Sequence, residues 1–244
     1  MSTRISAAKL LQVWERGQLQ APVDKALTLL AAAYPDATRE SLAALSIGQR
    51  DTGLLSLREQ LFGAQLSSLT DCPACGEQLE LNFNVADIRA SSTSPDAPLY
   101  LTHSGYELEL RLPNSLDLLQ LSDCSTIAEM RARLFEQCVV RVSHDGQVEG
   151  PGDLPAEIVE LAIARMGEAD PQADVEVDLN CPECRHAWQT GFDIVVYLWS
   201  ELHSWAMHML REVHVLASSY GWGESEILSM TPQRRRGYLE ILGA

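Results

Sequence analysis

Two short turns, Cys72-Pro73-Ala74-Cys75-Gly76 and Cys181-Pro182-Glu183-Cys184-Arg185-His186, repeat one pattern with 105 residues between Cys75 and Cys181. No other feature restricts the fold so much, because two C-x-x-C hooks facing each other are the donor set of a closed tetrahedral site. Zinc suits such a site, with sulfur at about 2.3 Å and no geometric preference of its own. Shared between the hooks, one ion would staple two remote parts of the chain. Proline after the first cysteine fixes φ, and glycine after the second permits the positive φ with which the turn curls its N–H groups toward sulfur. Arg185 takes that place in the second hook, which predicts a slightly strained turn.

Other chemistries use similar hooks. A rubredoxin-like iron site has its hooks much closer in sequence. A thioredoxin-like redox pair opens a helix beside a βαβ pattern, whereas each hook here is followed by an alternating segment that points to hairpins. Paired disulfides need an oxidising compartment, and the opening residues lead into an amphipathic segment without the apolar run of a signal peptide or a membrane span. The expectation is a cytoplasmic, soluble protein, where disulfides are rare and metal is favoured for the paired cysteines. Hence Cys72, Cys75, Cys181 and Cys184 are the expected ligands of one structural zinc ion.

With 244 residues, 46% of them hydrophobic, the chain has ample material for one large domain or two small ones. Its 34 acidic residues against 18 basic ones give a net charge of −16, a field that repels phosphate backbones and favours basic partners.

In chain order, residues 1–64 read as helical. Ser6 caps a helix carrying Leu10, Leu11 and Trp14, Pro22 opens a second and Thr38 caps a short third. A fourth follows Ser46-Ile47-Gly48, its apolar face built from Leu54, Leu57, Leu61 and Phe62. Leu79, Leu81, Phe83 and Val85 then alternate away from the first hook as in a strand buried on one face. Residues 90–98 read as a loop. Tyr106 to Leu112 alternate as a second strand. Thr126 and Glu129 have capping-box spacing before a helix whose Ile127, Met130, Leu134 and Cys138 share one face, so Cys138 is expected in the core and Cys124 as a small buried residue. A short strand at Val139–Val142, a turn at His144-Asp145-Gly146 and a helix after Pro155 follow. Val175, Val177 and Leu179 lead to the second hook, and Trp188, Thr190 and Phe192 lead away from it. The longest helix is expected from about Ile194 to Ser219, with an apolar stripe from Leu198 to Tyr220, and short helices after Gly223 and at Thr231-Pro232.

The result is an α+β chain. A helical N-terminal region covers 1–65. A zinc-ribbon-like pair of cysteine hairpins with an α/β insertion at about 90–174 covers 66–193, and a C-terminal helical region with one long helix and short terminal ones covers 194–244.

Little here suggests further chemistry. His203 and His214 lie eleven residues apart on a polar strip of the long helix with Arg211 and read as surface. His186 reads as a hydrogen-bonding neighbour of the second hook. Arg234-Arg235-Arg236 is the one dense basic run, but at 100° per residue its side chains fan around a helix instead of forming a phosphate-binding face. There is no Gly-x-Ser-x-Gly, phosphate loop, dinucleotide fingerprint or His-Glu-x-x-His, and carboxylates such as Asp117 and Asp123 are too common to nominate an acid–base pair. The chain is expected not to be an enzyme.

Several stretches together resemble the baseplate hub assembly chaperone family of T-even-type phages, in the longer form found with contractile tails and tail-like injection systems. They are Leu45-Ser46-Ile47-Gly48-Gln49-Arg50-Asp51 before Phe62-Gly63, the two hooks, Arg111-Leu112-Pro113-Asn114-Ser115-Leu116-Asp117, and Glu168-Ala169-Asp170-Pro171-Gln172-Ala173-Asp174. Phe192-Asp193-Ile194 and the ending Tyr220-Gly221-Trp222-Gly223-Glu224-Ser225-Glu226-Ile227-Leu228, with Arg235, Arg236 and Tyr238-Leu239, complete the set. Arg185 departs from the glycine expected there. The resemblance implies a non-enzymatic assembly factor or chaperone whose partners are baseplate hub or tail proteins. Two other functions fit the hooks: a zinc-ribbon nucleic-acid or transcription accessory module, and a redox or electron-transfer protein.

Overall fold

A computed structural model describes residues 5–90 and 98–243. Most of the loop expected at 90–98 therefore lies outside the described residues. The chain divides into two compact units, Met1–Asp36 with Ile194–Ala244, and Ala37–Asp193. The N-terminal helices are thus shared out: the first two belong with the C-terminal helices, and the next two belong with the hairpins.

In the first unit, α1 (Ala7–Gly17) and α2 (Pro22–Ala33) pack with the long α9 (Ile194–Tyr220), and α10 (Glu224–Ser229) and α11 (Pro232–Leu242) pack on α9 in turn. The starts follow their caps. The Ser6 hydroxyl accepts from the Lys9 N–H, Pro22 occupies the first turn of α2, and the Thr231 hydroxyl accepts from the Arg234 N–H. The stripe on α9 is buried at Leu198, Leu202, Ala206, Met209 and Leu216. Its indole Trp199 lies so close to Gly17 that a Cβ there would stand 2.2 Å from the ring, so only glycine fits. Lys25 Nζ sits 4.9 Å from the centre of the same ring, a cation–π contact. Arg235 is buried at 4% exposure, its Nε donating to Glu212 Oε2 at 2.9 Å and its Nη1 to the Met230 carbonyl at 2.8 Å.

The second unit holds α3 (Arg39–Ala43), α4 (Ile47–Phe62), α5 (Val85–Ile88), α6 (Ser115–Leu119), α7 (Ile127–Cys138) and α8 (Ala156–Ala169) with three antiparallel sheets. Strands β1 (Gln65–Asp71) and β2 (Gln78–Asn84) form one hairpin, and β7 (Glu176–Asn180) and β8 (Ala187–Gly191) form another. Between them in sequence, β3 (Leu99–His103), β4 (Tyr106–Leu110), β5 (Val139–His144) and β6 (Gln147–Val148) make a four-stranded meander. One core unites this sheet with α7 and α8: Leu99, Leu108, Leu110, Phe135, Val142, Ile158, Ala162 and Ala169 are all buried in it.

Two expectations need correction. Ile127 and Met130 share the inward stripe of α7 but are exposed, at 77% and 36%, while Phe135 and Cys138 further along the helix are buried. The periodicity identifies the face correctly, yet the helix runs on beyond the core that would cover it. Cys124 is half-exposed instead of buried, with Arg133 Nη1 4.0 Å from its sulfur.

Three of the stretches quoted above for their resemblance meet at the start of α4. The Ile47 N–H donates to the Pro113 carbonyl at 3.0 Å, Ser46 pairs with Asn114 as an isolated bridge, and the Gly48 N–H donates to Asp170 Oδ2 at 2.9 Å. Asp170 thereby supplies an anion to a helix N-terminus from far along the chain. A Cβ on Gly48 would lie 1.9 Å from Oδ1 of Asp170, so the contact demands glycine. Arg111 holds Asp117 through two hydrogen bonds of 2.7 and 2.6 Å, while Asp117 also accepts from the Asn114 N–H. These residues are structural joints.

Candidate metal centre

Each hook is the tip of its hairpin. The Cys72 N–H donates to the Glu77 carbonyl and the Gly76 N–H to the Cys72 carbonyl, both at 2.8 Å, and the second hook repeats this with Cys181–His186 at 2.9 Å and Arg185–Cys181 at 3.0 Å. The fifth residue has positive φ in both, 77° at Gly76 and 59° at Arg185. The left-handed conformation expected of Arg185 is present, at a cost of about 1–2 kcal/mol to a residue with a side chain.

The sulfurs of Cys72, Cys75, Cys181 and Cys184 all lie within 4.8 Å of one another. Across the hooks, Cys72 and Cys184 stand 3.6 Å apart, as do Cys75 and Cys181. A disulfide needs about 2.05 Å, so these are free thiols. A tetrahedron of sulfurs at about 2.3 Å from a centre has edges near 3.8 Å, so the spacing suits a metal ion. In each hook the first cysteine is buried and the second exposed. The aromatic rings of Phe83, on β2, and Phe192, after β8, meet edge to face at 5.7 Å and join the hairpins a second time.

The electrostatics favour a cation. Burial pushes the Cys72 thiol up, but the N–H groups of Cys75 and Ala74 and the neighbouring thiols bring it down to about 7. At Cys75 the Glu77 N–H pulls downward and is outweighed by the surrounding thiols and burial, which hold it up at about 12. Cys184 is likewise raised, the downward pull of the His186 N–H and the Cys75 thiol outweighed by burial and the sulfurs of Cys181 and Cys72. One thiolate forms readily and its neighbours resist, as expected where like charges crowd together. A divalent ion among them removes that conflict.

Other candidates from the sequence fall elsewhere. His186 stacks on Trp188 with ring centres 5.9 Å apart and is outside the cysteine cluster. His203 Nδ1 accepts from the Trp14 indole N–H at 3.1 Å. Among the described residues, no other group of three or more histidines, cysteines and carboxylates is placed to hold a metal. Arg235, in the middle of the basic run, is committed to Glu212. Cys138 is buried, and burial raises its thiol to about 12.

Two hairpins from remote parts of an α+β chain bring four cysteines together at their tips, in a cluster that could hold a metal ion. The family model described as T4 bacteriophage base plate protein matches residues 7–195, and the chain belongs to that family. Both hooks lie inside the match, which ends just after α9 begins. No curated protein and no solved structure matches the chain. Among the described residues, no helix is long and apolar enough to cross a membrane.

Proposed function

We propose that the protein is a non-enzymatic assembly factor, a chaperone for the baseplate hub of a contractile phage tail or tail-like injection system, working in the cytoplasm on hub or tail proteins. Membership of the baseplate family carries the reading. The four-cysteine cluster supports its second part, that Cys72, Cys75, Cys181 and Cys184 hold one structural zinc ion. When bound, such an ion supplies cross-linking alone. Cys72 and Cys75 anchor the β1–β2 hairpin, Cys181 and Cys184 anchor β7–β8, and the binding free energy becomes folding free energy. The net charge of −16 suits basic partner surfaces.

The test is metal analysis of the purified chain together with capture of purified hub, tube and spike proteins of a contractile tail. About one zinc per chain and saturable capture of at least one of them is expected. Metal-free protein that captures none overturns the proposal, and an iron-coloured protein with a reversible couple would move it to electron transfer.

A further inference from the structure

Helices α7 and α8 lie over the same core, and the furrow between them is an open groove of about 300 Å³. Its floor is the core itself, reached at Leu112, Phe135 and Met166. On the α8 side Ile163 is 40% exposed and Gly167 leaves open space where a side chain would stand. On the α7 side the wall continues past the core, because Leu134 lines the groove while Ile127 and Met130, seven and four residues earlier, carry the same face into solvent. An amphipathic stripe whose second half is buried and whose first half is bare is an unfinished packing surface.

Of the three charged residues lining the groove, Asp170 is taken up by the Gly48 N–H, which leaves one charge at each wall. Arg131 lines it from α7, and Asp174 lines it from the segment that follows α8. Both are exposed, and no ion pair among the described residues engages either. We propose that this groove receives an amphipathic helix of another protein. Its apolar residues at i, i+3 or i+4 and i+7 would enter between Leu134 and Ile163, and it would carry one acidic and one basic side chain to meet Arg131 and Asp174. Met166 in the groove, and Met130 on the exposed stretch of α7 that leads to it, have the adaptable shape that such docking uses. The volume accommodates a few large apolar side chains, the usual number of anchors for a helix in a groove. The inference rests on this groove alone and is independent of the metal and of the baseplate reading.

The probe is a set of labelled synthetic helices of about 15 residues with identical leucine stripes, carrying one Lys and one Glu, two Lys, or two Glu. Binding to the full chain is followed by fluorescence anisotropy. The mixed peptide is expected to bind best, Ile163→Asp to weaken it about tenfold or more, and Arg131→Glu to shift the preference to the two-Lys peptide. Both substitutions fall on exposed positions, and circular dichroism checks that each variant folds. If Ile163→Asp does not fold, the preference switch of Arg131→Glu decides the matter. No saturation below about 1 mM, equal binding by wild type and Ile163→Asp, or a peptide preference unmoved by Arg131→Glu overturns the proposal. It is also overturned if the chain self-associates and Ile163→Asp abolishes that association, since the occupant would then be a second copy.

Discussion

The helical unit and the cysteine hairpins of the other unit reach a folded state by different means. The helical unit is rich in fully buried aliphatic side chains: Leu27, Leu29, Leu30, Leu198, Leu202, Leu216 and Ile227 are all at 0% exposure. The cysteine hairpins have almost none, since β2 and β8 contribute no buried residue and β1 and β7 one each, Leu66 and Leu179. The other buried side chains at the hairpin tips are Cys72 and Cys181. A two-stranded hairpin is marginal in water unless something else holds it. Where burial is plentiful, packing suffices, and where it is thin, four cysteines stand close enough to take over as a cross-link.

The largest expected effect breaks this contrast on the hairpin side. Cys72→Ser or Cys181→Ser should abolish tight metal retention and destabilise the hairpins by more than about 5 kcal/mol, because either loss unclamps both. Metal content and thermal melting measure it. Mutants that match the wild type in both would show that the hooks do not share an ion. Leu202→Ala probes the other side, where removal of a fully buried side chain on α9 should cost about 2–5 kcal/mol without changing metal content. Arg235→Ala comes next, at about 1.5–3 kcal/mol, since it removes the buried charge-assisted hydrogen bonds to Glu212 and the Met230 carbonyl and leaves Glu212 with only His208, 3.2 Å away. Denaturant titration reads both losses, and a Leu202→Ala variant that shed its metal would link what the contrast keeps separate.

The smallest effects sharpen the comparison inside the metal site. Arg185→Gly should stabilise the second hook by about 1 kcal/mol by relieving its left-handed backbone, and Gly76→Ala should destabilise the first by a similar amount. Melting of the metal-loaded protein distinguishes them. Shifts of the same sign would mean that something other than backbone conformation sets the geometry of the turns.

Much of the fold was legible because its signals are local. Ser6, Thr38, Thr126 and Thr231 cap the helices they precede, and the alternation after the first hook and on both sides of the second becomes paired strands. The four-cysteine cluster was legible for a different reason, since a repeated donor pattern announces a shared site across any separation. What stayed hidden depends on neighbours brought together by folding. Asp170 reads as a helix end, and nothing near it in sequence says that it receives the Gly48 N–H. Arg235 looks like one of three surface cations, yet it is the buried one. Ile127 and Met130 sit on the expected face, but a stripe cannot tell how far the core beneath it extends. The α7–α8 groove escapes for the same reason, being a gap between elements and not a property of any one of them.

The distance between the hooks also sets an order of events during synthesis. The first hook emerges from the ribosome while its partner is still to be made, and the intervening stretch takes on the order of 5–20 s to translate. During that interval Cys72 and Cys75 are only half of the four-cysteine cluster. With the proposed ion, the clamp would close only once Cys184 is free of the exit tunnel, so its completion would report that the chain has been translated through its whole hairpin-bearing unit.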